Sequence, residues 1–386
     1  MSVTINLPAL LQVGAGAIQQ LPNVMSELAC KRPCLITDTT MVALGYAKTI
    51  TDILSLQNIE LAIFSDVMPE PNDTSISKAV EMVAREHFDC LIALGGGSAI
   101  DSAKAIALLA THGGKMHDYK VPHRVILQSI PVIAVPTTAG TGSECTKVTI
   151  ISDSATSEKM LCMGPGLMPK AAIVDYELSL TVPFRIAADT GIDALTHAIE
   201  AYVSKKANLY SDLQAIAAMR LIAPNLIQAC EHPDILEAKE ALMLGATLAG
   251  IAFSNASVAL VHGMSRPLGV HFHVPHGMSN AMLLPAITKY SLSSAAEKYA
   301  QCAVHMGLAE HADDIDDCHQ KLIGFLQDVN LRLEVPSMSA YGIVRTEYEN
   351  LLNTMAEQAL SSGSPANNPQ VPSKRAIIAL YKDIYA

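Results

Sequence analysis

Tryptophan is missing from this 386-residue chain, and aromatic residues make up only 4% of it. Its cores must therefore be built from Ala, Leu, Ile, Val and Met. Charged residues are also sparse, at 16%, against 50% hydrophobic. That balance excludes a disordered chain and supports large packed cores. The length corresponds to about two domains. Basic residues are the scarcer sign, and the formal net charge is −11. An acidic surface argues against nucleic acid as a partner, because phosphate backbones need clustered cations. One small basic pocket for a phosphate-bearing cofactor is still compatible with it.

Paired cysteines are lacking too. Cys30, Cys34, Cys90, Cys145, Cys162, Cys230, Cys302 and Cys318 contain no C-x-x-C spacing and no zinc-finger or disulfide framework. They read as reduced thiols of a cytoplasmic protein, acting as small buried hydrophobes. No basic residue precedes Lys31, so no secretory or transit-type leader is expected. The longest uncharged apolar run, 241–253, is shorter than the roughly 20 residues a bilayer requires. It reads as a buried helix, and no membrane partner is expected.

The first half alternates strand-like and helical stretches. Strands are expected over 33–38, 60–67, 88–96, 131–138 and 171–180, with helices over 41–56, 74–87 and 98–111 between them. Such alternation predicts a parallel sheet covered by helices on both faces. From about Ile186 onward the patterns are helical, with breaks at "EHPD", "RPLG" and "VPSMS". The domain boundary is therefore expected near 180–186, at "TVPFR".

"LIALGGGSAIDSAKAIA" reads as strand, triple glycine and helix start, with Ser98 as N-cap. Gly95, Gly96 and Gly97 would let backbone approach a ligand, and the helix end would offer free N–H groups to a pyrophosphate. A tight structural turn is the competing reading. Asp38, at the end of its strand, suits an adenosine ribose and would repel a 2′-phosphate, favouring NAD over NADP. Its alternative role is to cap the next helix. "PTTAGTGSE" (136–144) offers hydroxyls and bare backbone for cofactor contacts, or forms an ordinary hydroxyl-rich turn.

"GIDALTHAIEA" (191–201) puts Asp193 and His197 four apart on a helix, about 40° apart around its axis. Two readings compete. One is a helix start, with Thr190 as N-cap and Asp193 in a capping box. The other is half of a metal site. Partners for the second are His262, His271, His273 and His276, four histidines within fifteen residues. His262 reads as the end of an apolar helical run and His276 as the opening of the next helix. Pro267 and Gly269 are expected to break the chain between them. One Asp with two or three His would form a mononuclear site.

"GGGSAIDSAKAIA", "PTTAGTGSE", "GIDALTHAIEAYVS" and "HGMSRPLGVHFHVPHGMSNAMLLP" stand in the order and approximate spacing of the iron-containing (group III) alcohol dehydrogenases. The chain resembles that family over nearly its whole length. The resemblance implies an α/β N-terminal Rossmann-like domain (1–182) plus an all-α C-terminal domain (183–386), the architecture shared with dehydroquinate synthase. It implies Asp193, His197, His262 and His276 as metal ligands. It implies Asp38, Gly95, Gly96, Gly97, Ser98, Asp101, Thr137, Thr138, Thr141 and Lys159 along NAD, with Leu178 near the nicotinamide or ribose. The implied reaction is hydride transfer between a metal-activated small alcohol and nicotinamide C4, reversed for an aldehyde. The implied ion is iron(II), with zinc as the alternative, and the implied assembly is a homo-oligomer, a dimer or larger. A glycerol dehydrogenase-like zinc enzyme and a non-redox lyase of the dehydroquinate synthase type share this architecture. His197 argues against the first, and the scarcity of basic residues around His262 against the second.

One position departs from the family. "HGMSRPLG" carries Arg266 where a second histidine is usual, four residues after His262. A cation there suits a substrate with an anionic tail. The competing reading is that Arg266 pairs with an acid.

Overall fold

The computed structural model describes residues 2–156 and 158–385. The outer limits of the expected domains, residues 1 and 386, lie outside the described residues. Two compact units result, one running over Thr4–Val182 and the other from Pro183 onward together with Ser2 and Val3.

Among the described residues, the first unit is built on eight strands: β1 (Leu10–Val13), β2 (Pro33–Ile36), β3 (Ala62–Phe64), β4 (Cys90–Gly95), β5 (Val132–Pro136), β6 (Val148–Ser152), β7 (Lys159–Met163) and β8 (Ala171–Val174). Six form a parallel sheet in the order β1-β8-β5-β4-β2-β3, and β6 and β7 form a separate antiparallel hairpin. Strands β2 and β4 are buried at every position, as strands covered on both faces must be. Their side chains alternate between two cores. Cys34, Ile36, Leu91 and Ala93 join one, and Leu35, Cys90, Ile92 and Leu94 join the other. The chain leaves β2 toward one sheet edge and leaves β4 toward the other. Their C-terminal ends therefore flank a topological switch point, where open α/β sheets bind ligands.

Several local expectations are corrected. The 41–56 helix is two helices, Thr39–Ala43 and Tyr46–Ser55, because Gly45 takes a left-handed conformation (φ 84°) between them. The strand expected over 171–180 ends at Val174. Asp175 then caps a single 3₁₀ turn, Tyr176–Ser179. Strands β1, β6 and β7 were not anticipated. Ser98 is not the N-cap of its helix, α1 (Gly97–His112). Gly96 holds that place, and the Ser98 hydroxyl instead donates to the Pro69 carbonyl.

The second unit is helical. Its centre comprises α2 (Phe184–Val203), α3 (Leu209–Glu231), α4 (Leu236–Asn255), α5 (Leu260–Phe272) and α6 (His276–Ser291). By length and composition α3 could cross a bilayer, but here it packs against α2 and α4. Helix α2 begins well before Thr190, whose hydroxyl donates to the Ile186 carbonyl at 2.8 Å. Thr190 is thus no N-cap, and Asp193 lies in mid-helix. Pro267 and Gly269 do not break α5, because its buried face of Leu260, Val261, Met264 and Leu268 holds the helix through them. His262 lies in the first turn of α5, at the start of a helix rather than at the end of an apolar helical run. The chain turns instead at His273, in a left-handed conformation (φ 54°), and α6 starts at His276.

Candidate metal centre and cofactor loops

Helices α2, α5 and α6 bring together the four residues expected as ligands. Asp193 Oδ1 lies 3.7 Å from His197 Nε2, 3.3 Å from His262 Nε2 and 3.9 Å from His276 Nε2. Four donors about 2.1 Å from a shared ion would stand roughly 3.4 Å apart. Asp193, His262 and His276 each bring a donor atom within 4.8 Å of the others, a set whose chemistry suits a small divalent ion, while His197 Nε2 lies beside Asp193 and outside that triad. Asp193, His197 and His262 are buried, whereas the His276 side chain is 43% exposed. The cluster is open on that side alone of the four. His271 and His273 are not part of it. His271 Nε2 meets Gln358 Oε1 at 2.8 Å, and the His273 carbonyl accepts from the Tyr341 hydroxyl.

Burial disfavours the charged form of Asp193, but His197, His276 and His262 outweigh it and hold the carboxyl below the usual carboxylate range. Burial likewise opposes a charge on His262. Asp193 and Glu200 overcome it and raise its imidazole to about 9. Both directions describe imidazoles and a carboxylate forced into one low-dielectric space, which a cation would relieve.

Three supporting residues were not anticipated from the sequence. Glu200 Oε2 lies 2.7 Å from His262 Nδ1, so the carboxylate holds the proton on Nδ1 and leaves Nε2 facing Asp193. Glu200 also accepts from the Ala259 and Val261 N–H groups at 2.8 and 2.6 Å. Asn280 donates to Asp193 Oδ1 at 2.7 Å from one turn past His276. Phe253 stacks on the His197 ring with 4.2 Å between centroids. Glu200 has a sequence signal, since Asp193, His197 and Glu200 follow i, i+4, i+7 spacing on α2. Asn280 stands four after His276 for the same reason.

A profile described as "Iron-containing alcohol dehydrogenase" matches residues 8–176, and one described as "Fe-containing alcohol dehydrogenase family, C-terminal" matches residues 187–385. The chain belongs to the iron-containing alcohol dehydrogenase family. It is an oxidoreductase of the alcohol dehydrogenase class. It is 33% identical over 377 residues to the "NAD-dependent methanol dehydrogenase" of Bacillus methanolicus, covering 98% of each chain. It is 37% identical over 366 residues to the "Long-chain-alcohol dehydrogenase 1" of Geobacillus thermodenitrificans, covering 93% of this chain and 91% of that one. A crystal structure of 1,3-propanediol oxidoreductase superposes with a TM-score of 0.95, at 33% identity and complete coverage of both chains.

The α/β unit of this family member gathers several of the expected cofactor residues at the switch point. Gly95 ends β4 at φ 143°, and a Cβ there would stand 2.9 Å from Ala99 Cβ and 3.5 Å from Asp38 Oδ2. Asp38 caps the helix Thr39–Ala43, its Oδ1 accepting from the Thr40 and Met41 N–H groups at 2.8 and 3.0 Å. The capping reading of Asp38 is thus correct, and its second oxygen still faces the glycine loop. Thr138 and Thr141 lie against Gly96 and Gly97. The buried Thr138 hydroxyl has no hydrogen-bond partner among the described residues. An orphaned hydroxyl beside a glycine cradle at a helix N-terminus fits a dinucleotide phosphate.

The remaining expected cofactor residues have internal partners. Asp101 accepts from the Ser143 hydroxyl at 2.6 Å and the Ile150 N–H at 2.9 Å. Lys159 pairs with Glu70 at 3.2 Å, Thr137 is buried, and Leu178 sits in the core with Ile18 and Leu21. Lys104, also unanticipated, is fully enclosed. Its ammonium donates to the Ser143 and Val148 carbonyls at 2.7 Å each, pinning the hydroxyl-rich loop to α1.

Proposed function

We propose that this chain catalyses reversible hydride transfer between a small primary alcohol and NAD, with a divalent ion held by Asp193, His197, His262 and His276. The observation that carries this reading is the convergence of three imidazole Nε2 atoms on Asp193 Oδ1 within 3.3–3.9 Å. Iron(II) suits one carboxylate and three imidazoles and is the ion of the family. Zinc is its competitor by intrinsic affinity.

When bound, the ion supplies Lewis acidity that lowers the pKa of a substrate hydroxyl. The chain's residues do the rest. Asp193 contributes the compensating negative charge, held in place by Asn280. Glu200 fixes the His262 tautomer, and Phe253 fixes the His197 ring plane. The exposed side of His276 admits the substrate. Gly95–Gly97 and the N-terminus of α1 receive the pyrophosphate, joined by the Thr138 hydroxyl. Asp38 takes the ribose hydroxyls and repels a 2′-phosphate. Bound NAD would supply the hydride acceptor, nicotinamide C4.

The test is anaerobic reconstitution with iron(II) or zinc, followed by NAD⁺ and a panel of short alcohols, with reduced nicotinamide as readout. Turnover is expected in the wild type, with loss of both bound metal and turnover in Asp193→Asn and His262→Ala. Stoichiometric metal with no turnover on any alcohol would overturn the reading.

A further inference from the structure

Arg266 follows His262 by one helical turn, so the two side chains share a face of α5. The arginine is half-buried. Burial pulls its guanidinium below its ordinary pKa, and the carboxylate opposing that effect is Glu200. Glu200, however, is already committed. Its Oε2 accepts from Ala259 N–H and His262 Nδ1, and its Oε1 accepts from Val261 N–H. Among the described residues, none hydrogen-bonds or ion-pairs with Arg266. The guanidinium remains charged and carries five N–H donors, and none of its nitrogens is a buried atom without a partner. Glu200 offsets its charge, but with both carboxylate oxygens of Glu200 engaged elsewhere the Arg266 donors stay open to a second anion.

We propose that this anion is the substrate's own tail: a carboxylate seated on Arg266 while the same molecule's hydroxyl lies at the Asp193–His262 cluster. This rests on the hydride-transfer reading above and names its substrate class, a short ω-hydroxy acid oxidised to the ω-oxo acid. The carbinol C–H bond breaks, its electron pair going to NAD⁺ as hydride. The hydroxyl proton is released and a C=O bond forms. The carboxylate is unchanged. Positions four apart on a helix are separated by about 6 Å, a span that three- or four-carbon hydroxy acids match.

The experiment compares 3-hydroxypropionate and 4-hydroxybutyrate with 1-propanol and 1-butanol, using metal-loaded wild type, Arg266→Lys and Arg266→Met. Wild type should favour the acids in kcat/KM. Arg266→Met should lower that acid-to-alcohol ratio by about ten- to hundredfold, the worth of a charge-assisted hydrogen bond. The loss should fall mainly in KM, and Arg266→Lys should restore part of it. Calorimetric titration with butyrate, which cannot react, reads the same contact without turnover. Binding to wild type that Arg266→Met abolishes supports the proposal. An unchanged acid-to-alcohol ratio, or butyrate binding indifferent to the substitution, overturns it. If no alcohol or acid is turned over, the hydride-transfer reading fails, and the butyrate titration still decides the role of Arg266.

Discussion

The carboxylate of Glu200 holds the His262 imidazole by its Nδ1 atom at 2.7 Å, while the opposite nitrogen of that ring faces Asp193 at 3.3 Å. One residue of α2 thus orients a histidine of α5 toward a second residue of α2. Glu200→Gln keeps the shape and one acceptor but removes the charge that stabilises this orientation. It should weaken metal binding by about 10–100-fold. Competition against a chelator of known affinity measures the change, and an unaltered dissociation constant would show that Glu200 serves only the α5 backbone.

Gly277, next to His276, is pressed against α2. A Cβ there would stand 2.2 Å from the Asp189 carbonyl oxygen, a backbone atom that cannot step aside. Gly277→Ala should therefore push the start of α6 outward, cost at least about 1–3 kcal/mol and lower bound metal. At Gly191 the new methyl would meet Leu226 Cδ1 at 2.4 Å, the far end of a side chain that can rotate. Gly191→Ala should cost less. Denaturant unfolding and metal content of the two variants check the order.

Cofactor choice should turn on Asp38. Asparagine caps helices as well as aspartate, so Asp38→Asn removes the charge without removing the cap. The NADPH-to-NADH ratio of kcat/KM should rise about tenfold, which corresponds to about 1.4 kcal/mol of relieved repulsion, with thermal stability unchanged. A stability loss with no change in cofactor preference would leave Asp38 with the cap alone.

Lys104 sets a pH dependence in the α/β unit. Burial lowers its ammonium to about 8, despite the opposing charges of Asp101 and Glu144. The unfolded chain keeps an ordinary lysine near 10.4. Between these values the unfolded state binds more protons, so this group's contribution to stability rises with pH. The burial penalty is fully present below about pH 8 and relieved toward pH 10.4. Denaturant unfolding from pH 8 to 10 should show a steeper upward contribution in wild type than in Lys104→Met. Parallel slopes would refute the assignment.

Residues that act through spacing along one helix or strand were legible without a structure. Asp193 and His197 are four apart, and the glycines close an apolar run, so local geometry places both. The same logic misled where a local rule met a stronger tertiary one. Proline is a helix breaker in isolation, yet Pro267 lies inside α5 because the buried stripe around it outweighs the lost hydrogen bond. Strand β1 escaped notice because it is a short edge strand with every second residue exposed, too brief for periodicity to register.

By itself, the order of residues determined that an acidic, apolar-rich chain would form a parallel α/β unit and a helical unit, with ligand-type side chains at helical spacing. Those properties depend only on side-chain period and composition. Only the folded chain decided that Glu200 and Asn280 contact the Asp193–His262 cluster, that Asp101 and Lys104 tie the hydroxyl loop to α1, and that Arg266 has Glu200 as its charged neighbour. Each of these depends on atoms distant in sequence coming close in space, a relationship that no local pattern encodes.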